Sequence, residues 1–202
     1  MPRTADHDER RRQVAEALLR TIARKGLAAT TFADVADELG GSVGLVQRYF
    51  RSKSDLLRFG VEHLYRRGEE RIEAVERVAP VRDLMFRIAH TLLPMDEERR
   101  MELTVWLEFL PNAVRDPGMA ELHRTTTRQL VDGLAEGLDA ARRLGELPAD
   151  LDPHAEAAAL VALADGLTLH QLATPDLFDD ATAERLLRLH FDRLFSARAE
   201  EA

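Results

Sequence analysis

The chain has 202 residues and 22.7 kDa, 45% hydrophobic and 32% charged, which suits one large globular domain or two small ones and argues against global disorder. It has no cysteine, which excludes disulfide scaffolds, thiol nucleophiles and thiolate metal sites. No apolar run approaches the ~18–20 residues that span a bilayer, and no secretory signal follows Met1, so a soluble, cytoplasmic chain away from membranes is expected. The net charge of −8 hides an asymmetry: residues 1–53 hold 10 Lys+Arg against 7 Asp+Glu (net +3), leaving 18 against 29 (net −11) for the rest, so a polyanion partner is plausible for the head alone.

Helical spacing runs through the chain without sustained period-two alternation, so the predicted fold class is all-α, with about nine helices. Val14, Leu18 and Ile22, with Ala15, Leu19 and Ala23, mark the inner face of a first helix over roughly 8–25, stopped by Gly26 behind Arg24 and Lys25. Thr30-Thr31 caps a short second helix over 32–39, with Phe32, Val35, Ala36 and Leu39 inward. Gly40-Gly41 breaks it, and Ser42 caps a third helix over about 43–49. Ser52 caps a fourth, with Asp55 reaching back, predicted to run to about Val78 ahead of Pro80. Proline punctuates the remainder: helices are expected over about 81–93, 97–110, 117–144, 153–173 and 179–196, with breaks at Pro94, Pro111, Pro117, Pro148 and Pro175.

Three short helices with a glycine turn between the second and third fit a helix-turn-helix. The second helix must brace the third so that its N-terminal half enters a major groove ~12 Å wide. Val35, Ala36, Leu39, Val46 and Phe50 supply the apolar packing, and Gly40 permits the left-handed turn. Val43, Gly44, Leu45, Gln47 and Arg48 fall where base edges are reached. Arg10-Arg11-Arg12 reads better as a solvated helix start than as an arm on the backbone.

The run Thr31-Phe32-Ala33-Asp34-Val35-Ala36-Asp37-Glu38-Leu39-Gly40-Gly41-Ser42-Val43-Gly44-Leu45-Val46-Gln47-Arg48-Tyr49-Phe50, followed by Ser52-Lys53-Ser54-Asp55-Leu56-Leu57, resembles the DNA-binding domain of the tetracycline-repressor (TetR) family. The resemblance implies that Thr31 and the start of the second helix meet phosphate, with Ser42 also among the DNA-binding residues. It places Val43, Gly44, Leu45 and Arg48 nearest the bases, and gives Tyr49 and Lys53 to phosphate. A lysine beside a helix N-terminus is also disfavoured by the dipole until an anion arrives. Two positions depart from the family pattern: Gln47 stands where a tyrosine is usual, putting an amide in place of a phosphate contact, and Gly41 replaces a small aliphatic, which is expected to loosen the turn.

The body carries Leu103-Thr104-Val105-Trp106-Leu107-Glu108-Phe109-Leu110, Gly145-Glu146-Leu147-Pro148 and Ala162-Leu163-Ala164-Asp165-Gly166-Leu167, and resembles the C-terminal domain of the branch of that family that includes regulators of choline and betaine metabolism. A stripe with Ala159, Ala162, Leu163, Gly166 and Leu167, and a second with Leu187, Phe191 and Leu194, suit a four-helix interface between two copies. Met85, Phe86, Trp106, Phe109, Met119 and His170 are candidates to line a small-molecule pocket, although any one of them taken singly reads more simply as plain core. Glu108 and Asp165 would attract a cation if buried, and would otherwise be surface or interface carboxylates.

The predicted organisation is therefore a three-helix helix-turn-helix domain over residues 1–52, joined to a larger antiparallel helical ligand-binding and dimerisation domain over 53–202. The predicted function is a homodimeric, ligand-responsive transcriptional regulator, most simply a repressor. It would read a palindromic operator in double-stranded DNA and be released by a lipophilic or cationic effector. A helical protein-binding adaptor that has lost DNA binding is the alternative. An enzyme is not expected, and neither are catalytic residues, metal or cofactors: none of the seven histidines follows a glutamate by three residues, as a di-iron helix would need, and no strand precedes Gly40-Gly41 to make a dinucleotide loop.

Overall fold

In the computed structural model, which describes residues 3–196 and their side chains from residue 7, nine helices and no strand are present among the described residues. They are α1 (Arg3–Lys25), α2 (Phe32–Leu39), α3 (Val43–Tyr49), α4 (Lys53–Glu73), α5 (Val81–Thr91), α6 (Glu97–Arg115), α7 (Pro117–Arg143), α8 (Pro153–Ala173) and α9 (Asp180–Ser196). The short helices begin and end where their capping residues dictate. Thr31 opens α2 with a reciprocal box: its hydroxyl accepts the Asp34 N–H, and the Asp34 carboxylate takes the Thr31 N–H at 2.9 Å. Gly40, at φ +69, closes α2: its N–H donates to Asp37 C=O at 3.1 Å, while the Gly41 N–H reaches Ala36 C=O at 2.8 Å. Ser42 then accepts the Leu45 N–H to start α3.

Three helices depart from the expected lengths, the first being α1, which begins at Arg3 and not near residue 8. α4 leaves the helix at Glu73, not near Val78; Glu69, Glu70 and Glu73 crowd its C-terminal turn, where the macrodipole disfavours anions. α6 runs through Pro111 to Arg115 instead of stopping at 110. Proline removes one N–H and crowds the preceding turn. Apolar contacts on both sides of the proline, at Phe109 and Ala113, hold the helix together.

The chain divides into two compact units. The first comprises the chain to Arg67 with Arg100–Leu122, and the second comprises Gly68–Arg99 with the chain from His123 onward. These units do not follow a 52/53 division, because Val105, Phe109, Ala113 and Met119 of the middle segment are buried with Val14, Leu18, Ile22, Val46, Phe50 and Leu64. The second unit is built around Met85, Leu93, Leu138, Leu160, Leu187 and Phe191. There the Glu146 carboxylate caps α5 from outside the helix, accepting the N–H groups of Val81 and Arg82 at 3.1 Å each.

Candidate nucleic-acid interface

The geometry of α3 follows from two anchors. Val46 and Phe50 are fully buried, and the side chains between and before them are left outside. Ser42, Val43, Gly44, Gln47 and Arg48 are exposed; Leu45 and Tyr49 are half-buried at the margin. Val43 keeps 37% of its surface, unusual for a β-branched residue with a core available. Neither Gln47 nor Arg48 has a side-chain partner among the described residues. The result is a seven-residue helix with an apolar spine and a solvent face carrying an amide, a cation and two small residues. A Cβ on Gly41 would stand 3.0 Å from Leu45 Cδ2, so the glycine leaves room for the Leu45 side chain beside the turn.

The flanks of α3 are held from both sides. His7 lays its ring against Tyr49, with centroids 4.8 Å apart. Arg11, one helical turn later on α1, places its guanidinium over Phe59 at 4.3 Å and Phe50 at 5.2 Å. Of the basic run, Arg11 is thus a packing residue, whereas Arg12 pairs with Glu9 and Arg10 donates to Gln13 as on an ordinary solvated helix. Sequence spacing alone gave no signal for His7 or Arg11, because both partners lie about 40 residues downstream.

Thr31 is exposed at the start of α2, as expected of a phosphate contact, but its hydroxyl and N–H both donate to Asp34. Asp34 also takes the Lys25 ammonium at 2.5 Å, and Lys25 with Thr31 holds its carboxyl down to about 2, so it stays ionised. The helix-start N–H groups of Phe32 and Ala33 are therefore what α2 offers an anion, more than the threonine side chain. One turn further along the same face of α2, Glu38 accepts both Arg20 and Arg24 at 2.8 Å, which removes two of the head's cations from circulation. Lys53 opens α4, with its ammonium on the carbonyls of Leu27 at 3.1 Å and Ala28 at 3.5 Å. Those oxygens supply the negative partner that the dipole argument required. Arg51, which the sequence reading passed over, is exposed at the α3–α4 corner with no side-chain partner among the described residues.

The six residues expected to line a pocket are split between the units. Trp106, Phe109 and Met119 pack in the first core, while Met85 and Phe86 pack in the second. His170 is exposed and stacks on Phe178 at 4.5 Å. Glu108 is exposed and accepts the Leu27 N–H at 3.2 Å, so it is no buried cation seat. Of the two stripes expected at a dimer interface, Leu167, Leu187 and Phe191 are corrected to intrachain core, since α8 and α9 bury them against each other and α5. Ala159 and Ala162 are exposed, and Leu163, Gly166 and Leu194 half-buried, so this part of the stripes remains at the surface.

Comparison with known proteins agrees with this reading of the head and body. Residues 15–58 match the family model for bacterial regulatory proteins of the tetR family, and residues 81–196 match that for the C-terminal domain of BetI-type transcriptional repressors. The transcriptional regulator BetI of Paraburkholderia phymatum is 30% identical over 98% of this chain and 100% of its own length. The regulator PksA of Bacillus subtilis is 29% identical over 96% of this chain and 94% of its own. Among solved structures, a transcriptional regulator from Rhodococcus sp. Rha1 superposes with a TM-score of 0.82 at 29% identity, covering 92% of this chain and 96% of that one. A Saccharomonospora viridis regulator crystallised with choline shares the fold at a TM-score of 0.81 and 24% identity, over 95% of this chain and 97% of its own. The proteins of these families are transcriptional regulators and not enzymes. No helix among the described residues is long and apolar enough to cross a membrane. The chain belongs to the TetR family of bacterial transcriptional regulators, with a C-terminal domain of the BetI type.

Proposed function

We propose that the protein is a homodimeric, effector-released repressor of a palindromic operator, acting in the cytoplasm. The observation that carries this is the outward face of α3, where Ser42, Val43, Gly44, Gln47 and Arg48 are exposed above the buried anchors Val46 and Phe50. Unpartnered polar and small side chains on a rigidly braced helix suit the edges of base pairs in a major groove. On this reading Gly44, Leu45, Gln47 and Arg48 read sequence. The start of α2 at Thr31, Ser42, Tyr49 and Lys53 fix the register on phosphate. Residues 1–52, with Lys53 at their edge, bind DNA, and the remainder of 53–202 binds effector and partner.

One such helix reads only a few base pairs, so two are needed for usable specificity, and a symmetric pair reads a palindrome. The outer surface of α8 and α9 supports self-association. Ala155, Ala158, Ala159 and Ala162 are exposed, with Leu169 at 46% and Leu189 at 41%. Small residues let helices approach closely, and leucines at the same surface favour covering it. The effector is proposed to be a small cationic or lipophilic molecule, in the manner of the choline held by the Saccharomonospora viridis protein. Its binding favours a dimer whose recognition helices no longer match the half-sites.

Selection of bound duplexes from a random pool tests this directly. The expected product is a palindrome with half-sites spaced by about one helical turn of DNA or a multiple of it. Recovery of no preferred duplex, or of a single unsymmetric site, overturns the reading.

A further inference from the structure

The turn between α1 and α2 carries an arrangement that neither the head nor the body explains alone. Gly26 sits at φ +79, and the place its Cβ would occupy lies 3.7–3.9 Å from the Glu108 carboxylate. Glu108 is on α6, 81 positions further along the chain, and its Oε2 accepts the N–H of Leu27 at 3.2 Å. The C=O of that same residue accepts the Lys53 ammonium from α4 at 3.1 Å. Thr30 closes the turn further: its N–H donates to the Leu27 C=O at 3.3 Å, and its Oγ1 to the Gly26 C=O at 2.8 Å. Leu27 and Thr30 are buried. One residue's peptide groups are thus gripped by a carboxylate and an ammonium brought from two different helices.

We propose that Glu108 is a positioning residue for DNA binding, acting through Leu27. This rests on the DNA-binding reading above and deepens it. Four residues after Leu27 stands Thr31, the cap whose helix start faces phosphate, and the other hand of the clamp is Lys53, itself a phosphate candidate. Both charges are exposed side chains spent on backbone groups, a use that fixes where a turn sits. Gly26 is required at this point by its left-handed backbone, and a Cβ there would meet the carboxylate only at ordinary van der Waals distance. Without the Glu108 contact the turn is released, and the registration of α2 and Lys53 changes together. The effect is on phosphate contacts, so it applies to every sequence equally.

The test uses the full chain, the duplex recovered by the wild type from a random pool, and a scrambled duplex of equal length. Glu108→Ala is expected to weaken both by about tenfold, the size of one charge-assisted hydrogen bond. Glu108→Gln, whose amide oxygen still accepts the Leu27 N–H, is expected to restore most of it. In a Lys53→Met background the effect of Glu108→Ala is expected to shrink, because both act on one turn. Hydrogen exchange at the Leu27 amide is expected to speed up in Glu108→Ala while Val35 stays protected, which separates a released turn from an unfolded head. Wild-type affinity in Glu108→Ala, no rescue by Gln, strictly additive effects with Lys53→Met, or unchanged Leu27 exchange overturns the proposal. A wild type that binds no duplex defeats the DNA-binding reading instead, and Leu27 exchange still reports on the clamp.

Discussion

The outward faces of α3 and α8 are both left open by the fold, and they are open in opposite ways. α3 is seven residues long, and only Val46 along its length is buried, with Phe50 as its cap. Its free surface sets the polar Gln47 and Arg48 beside Val43 and Gly44. α8 is 21 residues long and buries Ala157, Leu160, Val161, Ala164, Leu167, Thr168 and Gln171 on one side, yet its other side is again mostly alanine and leucine. A polar open face keeps its hydration until a polyanion displaces it. A small-residue apolar face gains by being covered with another helix. The two surfaces therefore call for different partners, and each can be broken separately.

The largest effect is expected at the foot of the first face. Phe50→Ala removes a fully buried ring on which Phe59 and Arg11 pack, and should cost about 3–5 kcal/mol, read as a lower urea midpoint. If α3 is braced by that ring, DNA affinity falls in parallel while the second unit keeps its core. A variant as stable as the parent would show that α3 is held by something other than its anchors.

Next comes the second face. Ala162→Glu puts a charge where a partner helix is expected, and burying it unpaired costs several kcal/mol, so it should leave a monomer by sedimentation and lower affinity for a palindromic duplex by at least ~100-fold. Ala162 is exposed, so the substitution leaves the intrachain core intact. A dimer that persists would move the interface elsewhere.

Arg48→Ala and Lys53→Ala sharpen the contrast within the head. Arg48, free of protein partners, should relax preference at one or two base pairs at a cost of about 1–3 kcal/mol. Lys53 should weaken all duplexes evenly and reduce the salt slope by about one. Equal effects from both would erase the division between reading and positioning.

The head was the more legible region, for a physical reason. Its α2 and α3 are short, so their ends are fixed by side chains close in sequence: Thr31 with Asp34, Ser42 with Leu45, Gly40 with Asp37 and Ala36. A chain read residue by residue contains those contacts. It does not contain Glu108 on Leu27, or Arg11 on Phe59, which join residues 81 and 48 positions apart. The same limit hid α6: Pro111 reads as a stop until the core contacts of Phe109 and Ala113 are known. On α8 the difficulty was different. When both sides of a helix are alanine and leucine, periodicity identifies no inner face, which is why Leu167 was assigned outward and found in the core.

The smallest effect comes from the one carboxylate on the open side of α8. Asp165 lies three residues after Ala162 and four before Leu169, on the same stripe. Desolvation in these apolar surroundings pushes its carboxyl up to about 6, although the side chain still meets solvent. A raised carboxyl is more protonated folded than unfolded, so its contribution to stability falls as pH rises from about 4 to about 6 and stays low above that. Solvent contact screens the charge, so Asp165→Asn should add no more than about 1 kcal/mol at pH 7.5, and less at pH 4.5. If a second copy covers this face, the ionised form is disfavoured further: the wild-type dimer should then tighten as pH drops from 8 to 5.5, and Asp165→Asn should remove that dependence. A dimer constant that ignores pH in the wild type would place Asp165 outside the covered area and shift the interface along the helix, toward Ala155 or toward Leu189 on α9.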